Sequence, residues 1–218
     1  MILPLIEKYR AQTLNDIRGQ DLAKQDVNVF YTMFPKKKAL VLHGPTGTGK
    51  TSIAIAFARE HNLELFELNA SDLRNKKSLD EVLRPSIEQH SLFKKGKLIL
   101  MDEADGITAT DRGGLAELLS LIDKTSYPII ITTNDIWHKK FSLLRKKCHL
   151  VAIKELRDHE IISIMEEVVI KEHTHVKKET LQIIAHHARG DVRAALNDLQ
   201  SVIHIGENDF ISEFSERE

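Results

Sequence analysis

Gly44-Pro45-Thr46-Gly47-Thr48-Gly49-Lys50-Thr51 decides how this chain folds. The stretch fits G-x-x-x-x-G-K-[ST], the pattern of a phosphate-binding loop. Ala39-Leu40-Val41-Leu42 before it is long enough for a buried strand and too short for a helix. Ser52-Ile53-Ala54-Ile55-Ala56-Phe57-Ala58 after it reads as a helix with an apolar side. Strand, glycine loop and helix together turn the pattern into a mechanism. Glycines let successive backbone N–H groups curl round a polyphosphate, and the helix N-terminus adds positive potential. Lys50 would reach the β- and γ-phosphates, and the Thr51 hydroxyl would take a place on Mg²⁺.

Four more strands are expected downstream: Leu63–Leu68, Lys97–Glu103, Pro128–Asn134 and Leu150–Ile153. Between them the periodicity predicts helices over 78–90 and 114–124. Upstream, Leu5–Arg10 reads as extended, Gly19 as a turn, and Asp21–Met33 as a helix with Leu22, Val27, Phe30 and Tyr31 inward. Alternating strands and helices predict an α/β fold with a five-stranded parallel sheet flanked by helices. After Lys154 no further strand is expected, and amphipathic helices run over about 157–170, 177–188 and 191–204. The expected organisation is a nucleotide-binding base of 1–154, a small all-α lid of 155–206 and an acidic tail of 207–218 that frays.

In such a sheet the ligand sits at the carboxyl ends of the strands. Three of those ends carry chemistry: the glycine loop, Asp102-Glu103 and Asn134. Asp102 can organise the Mg²⁺ shell, and Glu103 is the natural base for an attacking water. Asn134 either holds that water or the γ-phosphate, or merely caps its strand. Arg193 falls in the first turn of the last helix, where a cation opposes the macrodipole. Contact with a γ-phosphate would give it a reason; a surface pair with Asp191 is the plainer alternative.

Composition narrows the classes. The chain has 218 residues, 31 Lys+Arg against 32 Asp+Glu, and 42% hydrophobic residues, enough for a sizeable core. A net charge of −1 supplies no global field for nucleic acid, so any such contact must be local. Cys148 is the single cysteine, which excludes an internal disulfide framework; it is expected to be a small buried residue. His173, His175, His186 and His187 lack metal-ligand spacing. No apolar run approaches about 18 residues, so no membrane span is expected. Met1-Ile2-Leu3-Pro4 lacks a secretory signal, and a reducing compartment is expected, cytoplasmic or nuclear.

These residues together resemble the AAA+ ATPases, and within them the clamp-loader branch, from about Leu5 to Gln200. Leu5-Ile6-Glu7-Lys8-Tyr9-Arg10 looks like the amino-terminal adenine-contacting segment, which makes Ile6, Tyr9 and Ile17 the implied base neighbours. Asn69-Ala70-Ser71-Asp72 is a clamp-loader string. Asp102-Glu103-Ala104-Asp105 resembles the Walker B box, Thr133-Asn134-Asp135 sensor 1, and Gly190-Asp191-Val192-Arg193 sensor 2. Asp72-Leu73-Arg74-Asn75-Lys76, Asp111-Arg112-Gly113-Gly114 and Thr133-Asn134-Asp135-Ile136-Trp137 are most similar to the large subunits of archaeal and eukaryotic loaders.

The resemblance implies a slow ATPase using ATP and Mg²⁺, with small clamp-loader subunits, a PCNA-type sliding clamp and primer–template DNA as partners. Ile87, Leu92 and Phe93 are implied clamp contacts, with ordinary core packing as the alternative. Arg74, Lys77 and Arg112 are implied phosphate contacts, with plain solvation as the alternative. Two departures stand out. Small loader subunits carry Ser-Arg-Cys, but Lys146-Lys147-Cys148 stands here, and lysine lacks the planar fork of an arginine finger. Nothing after Ile205 matches the family's collar, so the chain is expected to be an AAA+ fragment or a simplified version.

Overall fold

The first strand, β1 (Ala39–His43), shows why the sheet forms where it does. Ala39, Leu40, Val41 and Leu42 are all fully buried, as a strand covered on both faces requires. The computed structural model describes residues 3–69, 95–107, 112–207 and 210. Among them β1 joins β2 (Leu63–Asn69), β3 (Gly96–Asp102), β4 (Ile129–Thr133) and β5 (His149–Ala152) in an all-parallel sheet of order β2-β3-β4-β1-β5. The register sets His43 beside Thr133, and Met101 beside Ile131. The carboxyl ends of β3, β4 and β1 therefore stand side by side.

The chain folds into two compact units. The sheet unit comprises Gln12–Gly44 and Lys50–Ile153. Its core on one face gathers Val41, Ile99, Met101, Ile131, Leu118 and Phe141. Helix α4 (Arg112–Lys124) supplies Leu118 and Ile122 to that core, and the short α5 (Ser142–Lys147) supplies Leu144. Cys148 is buried there too, and burial pushes its thiol up to about 12. Helix α2 (Asp21–Met33) buries Ala23, Val27 and Phe30, one stripe at helical spacing. Leu22, read above as inward, is instead 69% exposed, because it lies about 100° round the helix from Ala23. Helix α3 runs over Lys50–Glu60 and begins inside the glycine motif rather than after it.

The second unit comprises Met1–Ala11, Pro45–Gly49 and Lys154–Glu218. Its helices α6 (Asp158–Lys171), α7 (Lys178–Ala188) and α8 (Val192–Ile205) pack Ile161, Met165, Leu181, Ile184 and Leu199 together. Each fully buried Ile or Leu contributes about 2 kcal/mol from apolar surface removed from water. Leu5 joins this core, and its N–H donates to the Gln200 side chain at 2.9 Å. The segment read above as extended is a one-turn helix, α1 (Leu5–Lys8). Pro4 makes that turn possible: its carbonyl accepts from the Glu7 and Lys8 N–H groups, both at 2.9 Å. The expected helix over 78–90 lies outside the described residues. Among the described residues no helix is long and apolar enough to cross a membrane.

Candidate active site

At the carboxyl edge of the sheet, the first turn of α3 presents Lys50 and Thr51 to the ends of β3 and β4. The Lys50 ammonium donates to the Gly44 carbonyl at 2.8 Å and to Asn134 Oδ1 at 2.9 Å. The Thr51 hydroxyl donates to Asp102 Oδ1 at 2.9 Å. Lys50, Thr51, Asp102 and Asn134 are thus brought together from positions up to 84 residues apart. The cause is strand order: β4 lies between β3 and β1, so their three exits converge.

Glu103, the residue after β3, is exposed and left-handed, with φ 51° and ψ 52°. A non-glycine residue in that region carries roughly 1–3 kcal/mol of strain and needs local restraint. Thr132 provides it. Its hydroxyl accepts the Glu103 N–H at 2.9 Å and donates to Asp102 Oδ1 at 2.6 Å. Gly44 has φ +152°, and a Cβ there would stand 2.1 Å from the Ile153 carbonyl oxygen, so no side chain fits. His43, the last residue of β1, is held below its ordinary pKa by burial, with Asp135 pulling the other way.

Two residues of this edge escaped the sequence reading. Thr132 looks like one more β-branched residue in an apolar strand. Asp105 was quoted within a motif but given no role. In the structure the Asp105 carboxylate accepts from the Thr133 hydroxyl at 2.7 Å and the Asn134 N–H at 2.6 Å. Only the three-dimensional pairing of β3 with β4 reveals either contact.

Within the other unit, Pro45–Gly49 is tied to the start of α8. Val192 N–H donates to the Gly47 carbonyl at 3.1 Å, and the Thr46 hydroxyl lies 3.4 Å from Asp191 Oδ2. Thr48 closes the loop on itself by donating to the Pro45 carbonyl at 2.8 Å. Asp191 caps α8 through the Ala194 N–H at 2.9 Å, so its carboxylate serves the helix and the loop. Arg193 is exposed on the first turn of α8. Ile6 and Tyr9 pack against the helical core, and the Tyr9 hydroxyl donates to Glu172 at 2.6 Å. Ile17 is buried in the sheet unit. Arg74, Lys77, Ile87, Leu92 and Phe93 lie outside the described residues. Arg112 opens α4, and its side chain likewise lies outside them.

The donor set suits a divalent cation of the magnesium kind: a hydroxyl and a carboxylate, both hard oxygen ligands, joined at 2.9 Å. The first-turn N–H groups of α3, with Lys50 beside them, suit polyphosphate oxygens.

Comparison with known proteins agrees with this chemistry. The chain is 42% identical to the replication factor C large subunit of Thermofilum pendens, over 92% of this chain and 50% of that protein. It is 37% identical to the protein of that name from Nanoarchaeum equitans, over 99% of this chain and 52% of that one. It is also 37% identical to that of Staphylothermus marinus, over 92% and 48% respectively. The chain therefore spans about half the length of the curated relatives it matches. Residues 40–156 match the model of the ATPase family associated with various cellular activities (AAA), a segment running from β1 past β5 and carrying every strand-end residue described above. By that match, which takes in more than half of its length, the chain belongs to the AAA ATPase family.

Proposed function

We propose that this chain is the ATP-binding and ATP-hydrolysing module of a clamp-loader subunit of the replication factor C large-subunit kind. In this role it helps open a PCNA-type sliding clamp and load it on primer–template DNA. The observation that carries the ATPase reading is the convergence of Lys50 on Asn134 and of Thr51 on Asp102 at one sheet edge. The named relatives support the clamp-loader assignment.

Each residue has a distinct task. Pro45–Gly49 wraps the phosphates with backbone N–H groups, and Lys50 neutralises β- and γ-oxygens. Thr51 and Asp102 would hold Mg²⁺, which when bound screens phosphate charge. Glu103 takes a proton from the attacking water. Asn134 orients that water or a γ-oxygen, and Arg193 adds a planar cation to the γ-phosphate. Ile6, Tyr9 and Ile17 are the residues assigned to the adenine base, and residues 155–206 are the family's helical lid. Arg74, Lys77 and Arg112 touch the DNA backbone; Ile87, Leu92 and Phe93 touch the clamp. Lys147, at the place of the small-subunit arginine, donates to both Asp123 carboxylate oxygens at 2.7 and 2.6 Å, which supports a chain that gives no arginine finger.

Turnover and capture test the two halves of the proposal separately. Glu103→Gln should retain ATP binding and lose hydrolysis. The wild-type chain, with small loader subunits added, should retain a PCNA-type ring in ATP and release it after hydrolysis. Absence of wild-type turnover would remove the ATPase. Failure to retain the ring under any nucleotide would remove the clamp-loader role and leave an AAA ATPase of another branch.

A further inference from the structure

The 3-10 turn that follows Glu103, Ala104–Gly106, is bound to the end of β4 by a single carboxylate. Asp105 Oδ1 accepts from the Thr133 hydroxyl at 2.7 Å and from the Asp135 N–H at 3.4 Å. Its Oδ2 accepts from the Asn134 N–H at 2.6 Å. Both oxygens are engaged, and every donor comes from the three residues that carry Asn134 out of the sheet. The turn is itself anchored: Lys140 donates to the Asp105 carbonyl at 2.8 Å and to the Ile107 carbonyl at 2.7 Å. Asn134 then passes the constraint on, since its side-chain oxygen accepts from Lys50 at 2.9 Å.

We infer that Asp105 is a positioning residue for the reaction, setting Asn134 against the phosphate-side lysine and tying that setting to the segment just after Glu103. The inference rests on the ATP-hydrolysing reading above. Asp105 touches no reacting atom. It fixes the backbone of the residue that does, and it spans the seam between the two strand ends that must act together. Asn134 is exposed, so the backbone clasp works together with the Lys50 bond to set its direction. A carboxylate suits the task because the three groups it meets are all donors, and an ionised acid is acceptor-only. An amide in its place would set its own N–H against one of them.

The whole chain serves for the test, as wild type, Asp105→Asn, Asn134→Ala and the double variant. Three quantities are measured: ATP turnover, affinity for a fluorescent ATP analogue, and amide hydrogen exchange at Asn134 and Asp135. Asp105→Asn should lower turnover between about tenfold and a hundredfold, the scale of a misplaced catalytic group. Affinity should stay within about threefold, since a transition-state contact is what is lost. The double variant should turn over no more slowly than Asn134→Ala alone, because Asp105 acts through Asn134. Turnover losses that multiply would overturn the inference, as would an Asn134 amide equally protected in wild type and Asp105→Asn. Should the wild-type chain bind ATP without turning it over, the hydrolytic reading fails by itself. Exchange at Asn134 still decides then whether Asp105 holds it. If Asp105→Asn does not fold, Thr133→Val removes one donor and leaves the acid in place. It should slow turnover and Thr133→Ser should restore it, while equal rates in all three would count against the clasp.

Discussion

Lys50 and Asn134, 84 residues apart in the chain, are joined by a 2.9 Å hydrogen bond from the ammonium to the side-chain oxygen. The same ammonium reaches back to the Gly44 carbonyl. Two of the oxygens that hold the lysine at the sheet edge, the Gly44 carbonyl and Asn134 Oδ1, carry no formal charge. Asn134→Asp replaces one of those oxygens with a charge that both competes for Lys50 and repels phosphate. ATP affinity should fall by about tenfold or more, a loss of the size of one charge-assisted hydrogen bond. Asn134→Ala should weaken binding far less and cut turnover instead. A titration with a fluorescent analogue beside a steady-state assay separates the two.

Thr132 is almost wholly buried and ties Asp102 to the Glu103 N–H. Thr132→Val keeps the shape and removes both bonds, leaving the Glu103 N–H to find another partner. Chemical denaturation should register a loss of about 1–3 kcal/mol, the cost of stranding such groups. Turnover should fall further than stability explains, because the strained backbone at Glu103 loses its restraint. Thr132→Ser should recover most of both.

Gly47 has φ +64°, and a Cβ there would fall 1.7 Å from Asp191 Oδ1. Gly47→Ala therefore meets a left-handed penalty of about 1–2 kcal/mol and also expels the Asp191 carboxylate from its place. ATP affinity and the melting temperature should both drop. Combining it with Asp191→Ala should relieve the collision but not the backbone penalty, so a double variant that restores part of the loss is the expected result.

Glu172 holds the start of the chain to the helical unit through Lys8 at 2.7 Å and Tyr9 at 2.6 Å. The Lys8 ammonium, with the Tyr9 hydroxyl second, keeps the Glu172 carboxyl below its ordinary range. The stabilisation is therefore present above the unfolded carboxyl value and is lost as pH falls through the lowered folded one. Limited proteolysis near Arg10 should accelerate on acidification below about pH 4 in the wild type. In Glu172→Gln it should be faster at neutral pH and nearly independent of acid.

How much of this was legible beforehand differs from residue to residue. Lys50, Thr51, Asp102 and Asn134 could be named from the chain because each ends or begins an element whose apolar run is unmistakable. Leu22 was misplaced because Leu22 and Ala23 differ by a single position, and periodicity alone does not choose which side of a stripe is buried. Residues 5–10 gave no period at all: one helical turn is too short to show one. Thr132 and Asp105 had no distinguishing local pattern, since their importance lies in partners 28 to 30 residues away.

By itself, the amino-acid sequence determined the elements: a buried run, a glycine turn, a helix start, and acids where an apolar strand stops. Hydrophobic period and backbone permissiveness are local properties, readable over a few residues. The tertiary structure alone decided that β4 lies between β3 and β1, for strand order depends on which faces bury together across the whole sheet. That insertion brings Asn134 to Lys50 and lets one acid, Asp105, hold two strand ends in register.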